Sequence, residues 1–374
     1  MNKEKILKIL KNSLTVVVIL ALFIIVFYQN RDRDIFKFGR DESSGIISSN
    51  QDSTAGYSEG ILGKIDDKVA LLTTTSYLIN DQNGEVESLD VAFTKPVMYT
   101  EGKYAVCYDL NTFDAVVFNE NNEAYRVKTD NKIIMAKVNK NGYLFVTTEK
   151  DGYNCECMVY NRSGEPIFKW DVSKSEFIDG DVNPNNDAIV LSLASSGDNK
   201  LIGEIVHINI TNANIIQKNT YESSVFFSVE FYHNGTYAAL GNKNLKFFNT
   251  DGTEKWSYEY EDKKLSNADI TNYDAITLAF SDRGELIDGN SAEVIVLNRL
   301  GQVLGQKTYD GIINDISAGK NCIAVASDKK IFVITPELDE KKVIKTDYSI
   351  KKIEFFQNDS NVFVLGSSKG EILK

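Results

Sequence analysis

The chain has 374 residues, 43% of them hydrophobic and 25% charged, a globular composition with ample length for a large core. Net charge is −12, and because the first thirty residues hold four Lys against one Glu, the remainder carries about −15, which excludes a general attraction to nucleic acid or anionic lipid. Four cysteines, Cys107, Cys155, Cys157 and Cys322, are too few for a disulfide framework.

Residues 1–12 form a short basic tail, expected on the cytoplasmic side. Residues 13–29 read as a transmembrane signal anchor, because the run 14–28 is uncharged and holds twelve Leu, Ile, Val or Phe. No small-residue cleavage site follows it, since the chain continues VFYQNRDRD, so the segment is expected to stay attached. Lys3, Lys5, Lys8 and Lys11 are matched by Arg31, Arg33, Lys37 and Arg40, so positive charge alone does not orient the anchor. Size breaks the tie: a short basic tail resists translocation, and the long domain is expected outside the cell membrane. Residues 30–59 are rich in Ser, Asp, Gly and Asn and read as a polar stalk. Within it, IFKF (35–38) looks like the strand IFKW (167–170) and is a candidate closing strand.

From residue 60 to 374 one hairpin recurs, built as an apolar run, an Asn, a turn and a second strand. Its marker residues are Asn80, Asn119, Asn161, Asn209, Asn249 and Asn298, with Thr335 in the seventh place. A spacing of about 40 residues belongs to the blades of a β-propeller. Before each hairpin comes a short apolar strand, a turn and a strongly β-prone run. Eight such runs occur, among them YAVCYDL (104–110), YLFVTT (143–148), AIVLSL (188–193) and NVFVLG (361–366). The expected fold is therefore all-β, a β-propeller of four-stranded blades behind one N-terminal transmembrane helix. Eight blades are favoured and seven are the alternative, because the first unit is short. The last unit stops at Lys374 without an outer strand, so residues 35–49 or those just beyond are expected to supply it and protect the edge.

The search for catalytic chemistry is mostly negative. There is no P-loop, no dinucleotide fingerprint, no HExxH and no Gly-x-Ser-x-Gly. His207 and His233 are the only histidines, read as an incidental strand residue and a turn residue. Cys155 and Cys157, two apart in a strand, read as ordinary buried cysteines. One constellation stands out. Aligned on their second strands, five units place an acid just before the apolar end of the first strand: Asp181, Glu230, Asp269, Asp315 and Glu354, with Lys137 and Val97 breaking the series. First strands line a propeller's channel, so these acids form a candidate ligand-binding ring for a divalent cation such as calcium or for a basic ligand. The plainer alternative is that they are solvated acids of an acidic protein.

The hairpin FFNTDGTEKWSY (247–258) resembles quinoprotein-like propeller repeats, and VYNRSGEPIFKW (159–170) is a second match. The unit ISAGKNCIAVASDKKIFVIT (316–335) is similar to WD-repeat propellers. The whole plan of basic tail, anchor and divergent propeller resembles an uncharacterised family of membrane-anchored propellers of Gram-positive bacteria, a domain of unknown function. That resemblance implies fold and location. Only Trp170 and Trp256 keep the quinoprotein pattern, and Glu156 separates the Cys pair, so no cofactor is expected. The distant likeness is to non-catalytic scaffolds of bacterial envelopes. The sequence thus points to a membrane-anchored extracytoplasmic module, not an enzyme, that binds a protein, a peptide or an envelope glycan. The alternative is a propeller hydrolase acting on envelope glycan or polymer with paired carboxylates.

Overall fold

The computed structural model describes residues 60–374, except 198, 262, 282–290, 357–360 and 368. Its strands form eight antiparallel sheets, seven with four strands and one with three, each in simple sequential order. The inner strands are Ile61–Ile65, Pro96–Glu101, Ile133–Val138, Glu176–Val182, Phe226–Phe231, Lys264–Asp269, Asp315–Ala318 and Ile350–Phe355. The first of these packs against both the second and the eighth, which closes the ring. The fold is thus an eight-bladed β-propeller. The short first unit is a full blade, with Ile61–Ile65, Lys68–Leu72, Ser76–Asp81 and Gly84–Asp90 in register.

Burial explains the sequence pattern. Second strands such as Leu144–Thr148, Tyr237–Gly241 and Val362–Gly366 are buried at every residue, because both of their faces pack against neighbouring blades. Outer strands such as Glu123–Lys128 and Ile215–Glu222 alternate or open to solvent. The core is divided accordingly. Eight hydrophobic clusters occupy the eight seams between blades, for example Val106, Val117, Val138 and Val146 between blades 2 and 3.

The recurrent Asn sets the turn between the third and outer strands. Asn161 Oδ1 accepts the N–H groups of Ser163 and Glu165 at 2.9 and 3.1 Å, and Asn298 does the same for Leu300 and Gln302 at 2.9 and 3.0 Å. Gly164 and Gly301 supply the positive φ of 75° and 76° that these turns require. Blade 1 departs from the expected marker. There Asp81 Oδ1 accepts the Asn83 N–H at 2.6 Å, whereas Asn80 lies one residue earlier, inside the strand. Asn80 is wholly buried with both amide atoms unpaired, in the place held by Phe118 and Tyr160 in blades 2 and 3.

The basic tail, the anchor and the stalk, with the candidate closing strand 35–49, all fall outside the described residues. Blade 8 shows Ile350–Phe355, Val362–Gly366 and Gly370–Leu373. Among the described residues no helix is long and apolar enough to cross a membrane.

Candidate functional site in the channel

Strand register fixes where the five acids stand. Asp181 pairs with Val190, Glu230 with Ala238, Asp269 with Thr277 and Glu354 with Phe363, all at one level just before the inner turn of their blades. In blade 7 that level is taken by Ser317, paired with Ala324, and Asp315 lies two residues deeper, at the level of Asp179 in blade 4. Lys137, opposite Phe145, occupies the same level in blade 3.

Most of these acids are bound to their own chain. The inner strand of each blade turns an edge to the channel, and its N–H groups have no further strand to pair with. In blades 5, 7 and 8, side chains of the preceding blade accept them. Asp179 Oδ2 takes the N–H of Val229 and Asp181 Oδ2 that of Phe231, both at 2.8 Å. Asp269 Oδ2 takes the N–H of Ala318 at 2.7 Å, and Asp315 Oδ2 that of Ile353 at 2.8 Å. Ser317 Oγ accepts the N–H of Phe355 at 3.0 Å and donates to Glu354 at 2.8 Å. Each bond staples one inner strand to the next.

Glu230 does something else. Its carboxylate reaches across the channel, accepting the Tyr99 hydroxyl at 2.5 Å and the Lys137 ammonium at 3.2 Å. Lys137 also donates to Asp179 at 2.8 Å and to the Val229 carbonyl at 3.1 Å, and lies 5.1 Å from the centre of the Tyr99 ring. Blades 2, 3, 4 and 5 therefore meet in one polar plug. Burial opposes the charge on Lys137, but Asp179 and Glu230 outweigh it and hold the ammonium above its usual range. The carboxyls are raised: Glu101 to about 8 by burial and then by Glu230, Asp181 well above its ordinary value by burial, Glu230 and Glu101, and Glu230 itself by burial. Lys140 lowers Glu101 through its backbone N–H and its charge, so four carboxyl groups stand near two ammoniums, Lys137 among them and Lys140 beside Glu101.

The remaining acids form a second arc. Burial pushes Glu354 up to about 7, Lys64 pulls against this, and Asp269 and Asp315 add to it. Lys352 pairs with Asp315 at 3.1 Å. The expected ring is therefore two arcs, Asp181 with Glu230 and Asp269 with Asp315 and Glu354. Among the described residues no group of three or more His, Cys, Asp or Glu is disposed to hold a metal ion.

Sequence reading overlooked Tyr99, Glu101 and Asp179 and took Lys137 for a break in the series. A signal existed for Asp179, since Asp179 and Asp181 alternate on one face of a strand. Nothing local marks Tyr99 as the partner of a residue 131 positions away. His207 lies in a strand as expected; it is 2% exposed, both ring nitrogens lack hydrogen-bond partners among the described residues, and burial pushes it down to about 4. Cys155 and Cys157 are free and buried in the seam between blades 3 and 4.

A family model described as a family of unknown function, DUF5711, matches residues 42–374. The chain belongs to that family. No curated protein matches it in sequence. Among solved structures it is similar to BamB from Moraxella catarrhalis, with a TM-score of 0.53, 11% identity, and 83% of this chain and 94% of that one covered. The C-terminal WD40 domain of Sif2 aligns with a TM-score of 0.56 and 14% identity over 89% of this chain and 96% of that one. At such identities the likeness is one of fold.

Proposed function

We propose that this protein is a non-catalytic binding propeller, held outside the cell membrane by residues 13–29, which receives a basic segment of a protein partner at the acid-rich end of its channel. The observation that carries this reading is the gathering of four carboxyl groups, Glu101, Asp179, Asp181 and Glu230, about Lys137, with Lys140 beside Glu101 as the other nearby ammonium. An arriving cation supplies charge that the cluster lacks and favours the ionised carboxylates. The staples from Asp179 and Asp181 support the same reading, since they hold the inner strands of blades 4 and 5 in fixed relation and preorganise that part of the face.

In-cell photo-crosslinking tests it. A photoreactive residue at the exposed Lys103, in the inner turn of blade 2, should capture a protein through a Lys- or Arg-rich segment. The same probe at Phe113, 40% exposed beyond the opposite end of the second strand, should not. Capture from position 113 alone, or of envelope glycan from position 103, would overturn it.

The raised carboxyls of Glu101, Asp181 and Glu230 favour one second reading, a hydrolase in which a protonated acid serves an ionised neighbour. Structural ion-pair networks shift carboxyls in the same way. Release of sugar fragments from envelope glycan by the purified protein, lost in Glu101→Gln, would decide for the enzyme.

A further inference from the structure

We infer that the inner seam between blades 5 and 6 is a docking slot for an extended peptide, which adds as a strand to the channel-facing edge of Lys264–Asp269. This rests on the reading of the propeller as a receiver of a basic partner segment and names where that segment lies.

Two observations set this seam apart. Seven of the eight neighbouring pairs of inner strands pack closely, and Phe226–Phe231 with Lys264–Asp269 is the pair that does not. Lys264–Asp269 is also the one inner strand with no buried residue, its other five positions being half-exposed behind an exposed Lys264. Staples enter blades 5, 7 and 8, and among the described residues none enters blade 6 between them. The groups corresponding to the stapled N–H of Val229 and Phe231 are those of Ala268 and Ile270, and no side chain of blade 5 accepts them. The residue placed to do so, Glu230, is turned away to Tyr99 and Lys137. The plug that gathers blades 2 to 5 thus leaves the inner strand of blade 6 apart from that of blade 5.

Outside the slot the seam is closed by the buried cluster of Leu240, Phe247, Ile276 and Leu278, and at the inner turns by Tyr232, which donates to the Ile270 carbonyl at 2.8 Å, and Asn234, which donates to the Tyr273 hydroxyl at 2.9 Å. Half-buried Phe227, Leu265 and Ala268 give it apolar walls. Glu230, bonded to Tyr99 and Lys137, and Asp269, bonded to Ala318 and Thr271, stand at its inner-turn end, where after burial both raise the Tyr232 hydroxyl. A strand edge with free N–H groups, apolar walls and two carboxylates fits an extended protein segment that alternates apolar and basic side chains.

The test uses the full-length protein in detergent and a fluorescent peptide of alternating Val and Lys. Without peptide, the amides of Ala268 and Ile270 should exchange rapidly while those of Val229, Phe231, Ile353 and Phe355 are protected. Saturating peptide should protect Ala268 and Ile270, and a peptide N-methylated at alternate residues should bind at least tenfold more weakly. Ser228→Trp, which fills the slot from blade 5, should cost at least tenfold in affinity with the melting temperature retained, and Glu230→Gln should weaken binding in the same direction. Protection of Ala268 and Ile270 before any peptide is added would show that the chain closes its own seam and overturn the proposal. So would equal binding of the N-methylated peptide, or of one alternating Val and Glu. Loss of peptide binding with capture from position 103 intact would sink the slot alone, and loss of both would sink the binding reading.

Discussion

Asn80 shows how one residue departs from its repeat. In the six other blades that carry the full hairpin, the residue before the turn marker is Phe118, Tyr160, Ile208, Phe248, Leu297 or Ile334, all apolar and buried. Asn80 is as buried as these, yet its carbonyl and amide groups have no partner. An unmade hydrogen bond at a buried polar group costs on the order of 1–3 kcal/mol. Asn80→Val, which suits a strand and has similar volume, should therefore raise stability by about 1–3 kcal/mol in urea denaturation. Unchanged or reduced stability would mean that an ordered water already satisfies the amide. The same residue explains one limit of the sequence reading: an Asn beside a turn suggests the turn's cap, but Asp81 takes that role.

At the scale of the strand, the inner edges of blades 5, 7 and 8 are held by side-chain acceptors one blade upstream. Asp315 makes the point, because its two oxygens do different work: Oδ2 accepts the Ile353 N–H and Oδ1 meets Lys352. Asp315→Asn keeps a neutral acceptor for the amide and should cost less than about 1.5 kcal/mol. Asp315→Ala strands the N–H and should cost about 1–3 kcal/mol, with faster exchange of the Ile353 amide. Equal loss in both variants would make the charge on Asp315, rather than its bond to the backbone, the quantity that matters. This division explains what was legible in the sequence. Blade number and strand order were, because the Asn turns and the fully buried second strands are local patterns set by turn chemistry and by packing on two faces. The staples were not. A residue such as Asp181 carries no mark of the Phe231 amide it will meet 50 positions later, and register shifts in the inner strands, between Phe177 and Asp179 for example, move acids relative to any count along the chain. The N-terminal anchor and stalk lie outside the described residues, so their reading stays an expectation.

For the whole molecule, the buried acids and His207 make stability depend on pH with a definite sign. Glu101 and Glu354 have folded values raised to about 8 and about 7, so the folded state binds their protons more tightly than the unfolded chain does. Their contribution is fully present below the ordinary Glu value near 4.3 and is lost as pH rises through 7 and 8. For Glu354 alone this amounts to roughly 3 kcal/mol. His207, lowered to about 4, acts oppositely: its contribution is present above an unfolded value near 6.5 and is lost as pH falls toward 4. Between pH 5 and 8 the acids outnumber the single histidine, since Asp181 and Glu230 are raised as well. Urea denaturation should therefore find the propeller more stable at pH 5.5 than at pH 8. Reduced net charge near the isoelectric point acts in the same direction, so the wild-type profile alone does not assign the effect. Glu354→Gln separates the two, because it removes one titration while changing net charge by a single unit. Its stability should fall between pH 5.5 and 8 by about 2–3 kcal/mol less than that of the wild type. Parallel profiles for the two proteins would show that Glu354 titrates as an ordinary surface acid, and that its arc of the channel is open to water.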